Sequence, residues 1–488
     1  MNRVAAAWLV AFGLAGCALV ALYPDSYQQD AGHHFLKAQW AWSTPSHFVS
    51  VWGRPLFTTV YAFPALGGYV PAKLFTVVLA LLTAWQTWRL ARDRGLARAE
   101  LSIPLLFLQP SYLLLCSDTL TETLFALVFV IALRLHLKGR VVAGMLVASL
   151  MILVAPWGFF LGCLWGVWVL ADGRDGKRWW SRLPWTLLLA SGVALWWLAA
   201  LAITGDPAWI KHDWPQDWKT EGRYGTGPWW WYGRQLFMEI LGPVLLVPFV
   251  AGVVACLRKR QLGLELSSVA VLLGLLAVMF TCGLFNAAGY ARYLVCVAPA
   301  FALILLAGWN LLADAPWMSR APKAVRIGLA GAALLLAGLV ALFYVDGWGF
   351  GRDARAVAEM RDWFTLSEAA KGGRVEGFGK KPRPISRLAW SQAYMCIAFN
   401  RNPAERPPFT GDKEANLALL RACRSGTLVF WDRDTGPAWH GVSPGDLEAI
   451  GYIRLRSQTY LLEGRFFKTP RLGHGGVRTQ EMHLFYKE

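Results

Sequence analysis

The chain has 488 residues, of which 56% are hydrophobic and only 16% charged, with a net charge of +17. A soluble domain of ordinary composition carries about 25% charged residues. The deficit here is concentrated before Tyr344, which excludes a wholly soluble fold. In a soluble protein the positive excess would point to nucleic acid, but here much of it lies in short loops between apolar runs, where it sets orientation in a bilayer, so no nucleic-acid partner is expected.

Apolar runs lie near 4–23, 73–92, 101–116, 119–137, 141–156, 157–171, 183–203, 237–257, 266–285, 293–312 and 326–345. Each is close to the roughly 20 residues that cross a bilayer as a helix. The expected architecture is a polytopic α-helical membrane domain of about eleven spans over 1–345, followed by a water-soluble tail over 346–488. Pro156-Trp157-Gly158 marks a turn or a kink between two of the runs. Leu14-Ala15-Gly16-Cys17 resembles a lipoprotein cleavage site, but apolar residues continue to Tyr23, which suits an uncleaved helix.

Basic residues fix the expected orientation. Every second loop is basic: Arg3; Arg89, Arg92, Arg94 and Arg98; Lys138 and Arg140; Arg174, Lys177, Arg178 and Arg182; Arg258, Lys259 and Arg260; Arg320, Lys323 and Arg326. The positive-inside rule then puts the N-terminus in the cytoplasm and the tail outside. Three outer segments are long enough to do chemistry: 24–72, 204–236 and the tail. There are no internal repeats and no low-complexity tract.

The tail mixes helical patterns, at Ala354 to Phe364 and Asp412 to Cys423, with strand-like runs at Thr427 to Trp431, Ser457 to Leu462 and Met482 to Tyr486. An α/β or α+β domain follows. Of the eight Cys, six lie in or beside apolar spans, where a thiol acts as a small hydrophobe. Cys396 and Cys423 could form a disulfide if the tail faces an oxidising compartment. No spacing of Cys or His requires a metal.

Four clusters could carry chemistry. The first outer loop holds Asp25, Asp30, His33 and His34 immediately beyond a membrane helix. A carboxylate there could deprotonate a hydroxyl, or the loop could be a solvated cap. Ser117 to Glu122 lies at the outer end of a span. Asp118 could N-cap the next helix, whereas Glu122, about one turn inside an apolar helix, is costly unless it serves a polar cavity. Arg292 lies at the outer face against the charge trend, next to Tyr293. It could clamp a phosphate with its planar fork, or snorkel to headgroups. The second outer loop holds Trp209, His212, Asp213, Trp214, Asp217 and Trp218, then Tyr224-Gly225-Thr226-Gly227-Pro228 and three Trp. Those aromatics anchor at the interface or stack on a sugar or a lipid chain.

Taken together, these segments resemble the GT-C class of membrane glycosyltransferases, in the protein mannosyltransferase and aminoarabinose transferase superfamily. Asp30-Ala31-Gly32-His33-His34 resembles the family's "D-E-G-Y-Y", with the second acid missing. Pro24-Asp25 resembles another branch's "P-D-E". Gly53-Arg54-Pro55-Leu56 and Ala72-Lys73-Leu74 resemble the stretch entering the second helix. Ser117 to Phe125 resembles the second acidic motif, and Arg292-Tyr293-Leu294 with Pro299 the late "R-Y-L-x-x-x-x-P".

The resemblance implies an inverting transfer of a sugar from a polyprenyl-phosphate donor to a hydroxyl of a glycan, lipid or protein acceptor at the outer face. Asp30, or else Asp25, would be the base. Arg292 and Tyr293 would bind the donor phosphate, while His33, His34, Asp118, Glu122 and Tyr224 would orient substrates. No cofactor is needed, because the donor is a lipid. A bacterial inner membrane fits this reading. The competing readings are a transporter or flippase for lipid-linked sugars and a non-catalytic envelope assembly protein. The tail is expected to cover the outer loops.

Overall fold

A computed structural model describes residues 2–25, 29–171, 178–215, 225–284, 289–347, 352–370, 385–389, 393–405, 409, 412–433, 435–461, 466–467 and 479–488. The chain divides into two compact units, Met1–Leu22 with Ala41–Val345, and Tyr23–Trp40 with Asp346–Glu488.

The first unit is helical. Among the described residues, 7 helices are long and apolar enough to cross a membrane: Arg3–Leu22, Tyr69–Asp93, Trp179–Thr204, Trp231–Lys259, Gly263–Thr281, Ala291–Ala313 and Lys323–Gly347. The protein is an integral membrane protein. The expected count of eleven spans is not reached by this measure, and the difference lies in 101–171. Proline breaks the first of these runs. Pro110 cannot donate to an α-helical ladder, and its ring pushes the preceding residue out of the helical region. Gln109 is accordingly extended (φ −69°, ψ 117°), and separate short helices result, Ser102–Phe107 and Pro110–Leu115. The Gln109 amide donates to the carbonyls of Leu105 and Ala298, both at 3.2 Å, so the break is satisfied within protein. Thr121–Leu137 is a helix of 17 residues, and Val141–Leu153 and Trp157–Ala171 are shorter apolar helices.

Burial grades the helices. In Ala291–Ala313, 83% of the most apolar window is buried, against 17% in Lys323–Gly347 and 22% in Arg3–Leu22, so the first is the centre of the unit and the others are its lipid-facing rim. Glycines let the backbones close at that centre. A Cβ on Gly308 would lie 1.7 Å from the Pro248 carbonyl oxygen, and one on Gly252 would lie 2.0 Å from that of Ile304. Gly16 of the lipoprotein-like stretch has a packing role of the same kind, with Val77 only 2.8 Å from where its Cβ would be.

The second unit is built on a four-stranded sheet in the order β1 (Arg387–Leu388), β2 (Thr427–Asp432), β4 (Thr479–Lys487), β3 (Tyr452–Leu461). β1 runs parallel to β2, while β2–β4 and β4–β3 are antiparallel. All six residues of β2 are buried, as expected for a central strand flanked by helices. Helices Arg352–Ala370, Ala393–Phe399 and Lys413–Ala422 accompany the sheet. Asp412 caps the last of these, accepting from the Ala415 amide at 2.8 Å. Val357, Met360, Phe364, Leu420, Val429 and Phe485 share the core. Cys396 and Cys423 are both buried and are not joined to each other, so the disulfide expected as an option from the sequence is absent from the structure.

The helix Gln29–Gln39 belongs to this second unit, although 24–72 was expected to stay with the membrane helices. Gly32 explains the packing. Its missing side chain lets the helix lie against Ala393–Phe399, where a Cβ would meet the Ala393 methyl at 2.9 Å and Ile397 Cδ1 at 3.2 Å.

Candidate functional site

Within the membrane unit, polar groups gather where Thr121–Leu137 begins. Leu120 is the N-cap residue and supplies no side-chain bond. Asp118 therefore does not cap this helix. It accepts instead from the Tyr69 hydroxyl and from the Thr119 amide (2.8 Å). The Thr119 hydroxyl donates in turn to Tyr69 Oη at 3.3 Å. One turn along from Tyr69, Lys73 is fully buried, with Nζ 5.6 Å from the Tyr69 ring centre. In the sequence Lys73 stands within Ala72-Lys73-Leu74, part of the stretch entering the second helix. A lone lysine in the first turn of an apolar span is itself a signal of function, since an intramembrane charge is retained only at a cost.

Glu122 is nearly inaccessible and meets a charge from far along the chain. Its Oε1 lies 3.5 Å from Nε of Arg292, and the two side chains are 5% and 11% exposed. Arg292 sits in the 3₁₀ segment Ala291–Val297 that opens the central helix. Tyrosine rings flank it. The guanidinium carbon lies 4.8 Å from the Tyr290 ring centre and 5.5 Å from that of Tyr293, within cation–π range. The two rings meet edge to face at 5.9 Å, and Tyr293 is backed by Trp157 at 4.7 Å. The arginine is thus held inside protein and does not snorkel to headgroups. Tyr293, expected beside the donor phosphate, presents its ring to Arg292. A planar cation fixed this way is preorganised for an oxyanion, because little side-chain freedom is left to lose.

The wall behind this cluster was not anticipated. Leu236–Leu241 is a single π-helical turn, a distortion common at functional sites. Within it, Glu239 accepts from the Tyr344 hydroxyl at 2.5 Å, while its carbonyl accepts from Ser111 Oγ at 2.7 Å.

The aromatic segment 204–236 divides into two parts among the described residues. Trp196 and Trp209 both donate to the Val49 carbonyl, at 2.9 and 3.2 Å, and Trp209 and Trp214 pack against Val49, Val51, Leu153 and Trp196. Asp213 accepts from the Val51 amide at 2.6 Å. These residues form a small core that joins the segments around 49–51 and 196–214. Trp229 and Trp230 are exposed, as interfacial anchors would be. Tyr224 lies outside the described residues.

In the second unit, Asp30 occupies the first turn of Gln29–Gln39. Asp30, His33 and Lys37 fall at i, i+3 and i+7 and are all partly exposed, whereas Ala31, His34, Phe35 and Ala38 are buried. The two histidines therefore separate. His33 shares the accessible face with Asp30, and His34 is part of the packing face. Asp25, also partly exposed, precedes the helix. The segment is anchored at its start, where the Tyr23 hydroxyl donates to Asp346 Oδ1 at 2.8 Å. The buried Asp346 carboxylate also accepts from the amides of Phe466 (3.0 Å) and Phe467 (2.8 Å). Among the described residues, no three of His, Cys, Asp and Glu converge as a metal site requires.

No family model matches the sequence, and no curated protein matches it. Solved structures do. The apo crystal structure of ArnT from Cupriavidus metallidurans is similar at a TM-score of 0.58 and 12% identity, over 98% of this chain and 97% of that one. The same enzyme bound to undecaprenyl phosphate is similar at 0.55 and 13% identity, over 97% of each chain. At such identity it is the fold that is shared, and from end to end the chain has the fold of ArnT, a GT-C aminoarabinose transferase.

Proposed function

We propose that the protein is a membrane glycosyltransferase that moves a sugar from a polyprenyl-phosphate donor to an acceptor hydroxyl, with inversion at the anomeric carbon. One observation carries this reading: a nearly buried arginine, braced by Glu122 and two tyrosine faces, at the start of the central membrane helix. An apolar setting strengthens its attraction for phosphate oxygens. The similarity to an ArnT structure holding undecaprenyl phosphate supports a lipid-linked donor.

In the proposed reaction the acceptor oxygen attacks the anomeric carbon from the side opposite the phosphate. A new carbon–oxygen bond forms as the sugar–phosphate bond breaks, and polyprenyl phosphate leaves with the bonding pair. Arg292 stabilises the charge growing on that phosphate. Lys73 is a second buried cation suited to the same task. Asp30 takes the acceptor's proton, with Asp25 the alternative base. Glu122 holds Arg292, a more specific role than the substrate orientation first assigned to it. His33 and Asp118 orient substrate groups. The basic loops support an inner-membrane protein with its N-terminus in the cytoplasm and its tail outside.

The test is sugar release from a panel of radiolabelled polyprenyl-phosphate sugars by purified protein in lipid, comparing wild type with Asp30→Asn. Turnover of one donor that the variant lacks supports the enzyme and its base. Equal turnover in both moves the base to Asp25. No turnover with any donor favours a lipid-linked-sugar flippase or an assembly protein.

A further inference from the structure

The guanidinium of Arg292 is presented by a turn with an unusual support. Gly289, three residues earlier, is left-handed at φ +67°, a conformation that L side chains rarely adopt. There is also no room for a side chain, since a Cβ would lie 2.8 Å from Phe280 Cζ and 2.9 Å from Trp231 Nε1. Tyr290 follows in an extended conformation, and the 3₁₀ turn with Arg292 comes next. The position of the Gly289 peptide thus sets where Tyr290, and the arginine lying on its ring, are placed.

Two side chains of the helix Trp231–Gln235 hold that peptide. The Trp231 indole N–H donates to the Gly289 carbonyl at 2.9 Å, and the Gln235 amide donates to the same oxygen at 3.4 Å. They stand four residues apart and so share one helix face. Trp231 is itself wedged, with its ring 5.8 Å from that of Phe280 and Arg234 over its face at 5.2 Å. Phe280 in turn fills the space beside Gly227, where a Cβ would meet its ring at 2.1 Å. Interior packing alone would explain the rings. It does not explain why one carbonyl next to the arginine's turn collects both side-chain donors.

We infer that Trp231 and Gln235 are positioning residues that fix Arg292 for the donor phosphate through the Gly289 carbonyl. This rests on the reading that Arg292 meets that phosphate. It extends the phosphate-binding machinery to the outer segment that ends at 236, so the conformation of that segment sets affinity for the phosphate and not for the lipid chain.

The experiment measures binding of radiolabelled undecaprenyl phosphate and of undecaprenol to the full-length protein in lipid nanodiscs. The variants are Trp231→Phe, which keeps a ring against Phe280, Gln235→Leu, the two together, and Arg292→Gln. Losing two hydrogen bonds of ordinary net strength predicts that the double variant weakens phosphate binding about tenfold and each single about threefold. Undecaprenol affinity should stay unchanged, as should the ligand-free melting temperature of Trp231→Phe. A merely structural role would move both ligands together. If Arg292→Gln lowers the phosphate-to-alcohol affinity ratio while the Trp231 and Gln235 variants leave it at the wild-type value, this inference is overturned and the phosphate reading stands. If Arg292→Gln also leaves the ratio unchanged, the phosphate reading fails and this inference fails with it.

Discussion

The two units hold their acidic groups in opposite ways. In the membrane unit Glu122 is enclosed with Arg292, and each charge is there because the other compensates it. In the second unit Asp30 and His33 are displayed on the accessible face of a short helix whose other face is packed away. The surroundings explain the difference. A bare charge among lipid-embedded helices is costly enough that it must be neutralised where it stands. At a wet surface a carboxylate needs only a scaffold that keeps it in place. A group that must exchange protons with a substrate suits the second setting, and one that must stay charged and rigid suits the first.

Substitutions in the two units should therefore fail differently. Asp30→Asn should lower turnover about 1000-fold, as expected for loss of a general base, with an unchanged melting temperature. Any fall in stability comparable to the fall in rate would break the comparison. Arg292→Gln should cost both, with turnover down about 100-fold and stability down about 3–5 kcal/mol, because Glu122 is left buried without its partner. Adding Glu122→Gln to that variant should restore the melting temperature but not the turnover. Recovery of both would mean that the pair is only structural.

Smaller effects test the scaffold under Asp30. Gly32→Val places methyl groups where Ala393 and Ile397 already stand, and overpacking of this kind costs about 1–3 kcal/mol. Amide exchange in 29–39 and in 393–399 should quicken together. Exchange that rises in one segment alone would show that the helix does not depend on the tail. Asp346→Ala leaves the Tyr23 hydroxyl and two backbone amides without their acceptor, a loss of about 1–3 kcal/mol. Limited proteolysis of the second unit should accelerate while the membrane helices stay protected.

The smallest effect is one of pH. His483 on β4 is buried against Trp431, and burial holds its pKa below the usual histidine value of 6.5, outweighing the raising effect of Glu481 at 3.1 Å. An unfolded chain then takes up that proton before the folded one does. Stability from this group is full above pH 6.5 and is lost as pH falls from there toward the folded value. The protection of β4 amides, taken relative to intrinsic exchange at each pH, should fall between about pH 6.5 and 5.5 in the wild type and stay flat in His483→Gln.

Much of the helical plan could be read directly. Long apolar runs such as 326–345 gave spans because nothing but a helix or a closed barrel satisfies its backbone in lipid. The run at 101–116 read as one span and is two short helices, although the cause, Pro110, was in plain view. Hydropathy does not register a missing N–H. In the tail, Thr427 to Trp431 was legible as a buried strand because every residue in it is apolar or β-branched. The sheet order was not, since strands that pair across long separations leave no local trace. Asp118 looked like a cap because it stands immediately before the apolar run at 119–137, the position that aspartate commonly caps. A tyrosine from another helix outcompeted that arrangement, and no local rule contains it. Lys73 and Glu239 are both readable as charges inside apolar runs, but the tyrosine that Glu239 meets, Tyr344, lies far along the chain and leaves no local pattern.

By itself the sequence determined that this is a membrane protein, where its long apolar helices lie, and which acidic and basic residues stand near the ends of spans. Those follow from transfer free energies and backbone geometry, which act over a few residues at a time. Only the tertiary structure decided that Glu122 would meet Arg292, that the helix with Asp30 would pack on the tail, and that one carbonyl beside the arginine's turn would gather Trp231 and Gln235. Each of those joins residues distant in the chain, and such a choice is made by close packing and by the need to pair every buried polar group, which only the assembled fold can satisfy.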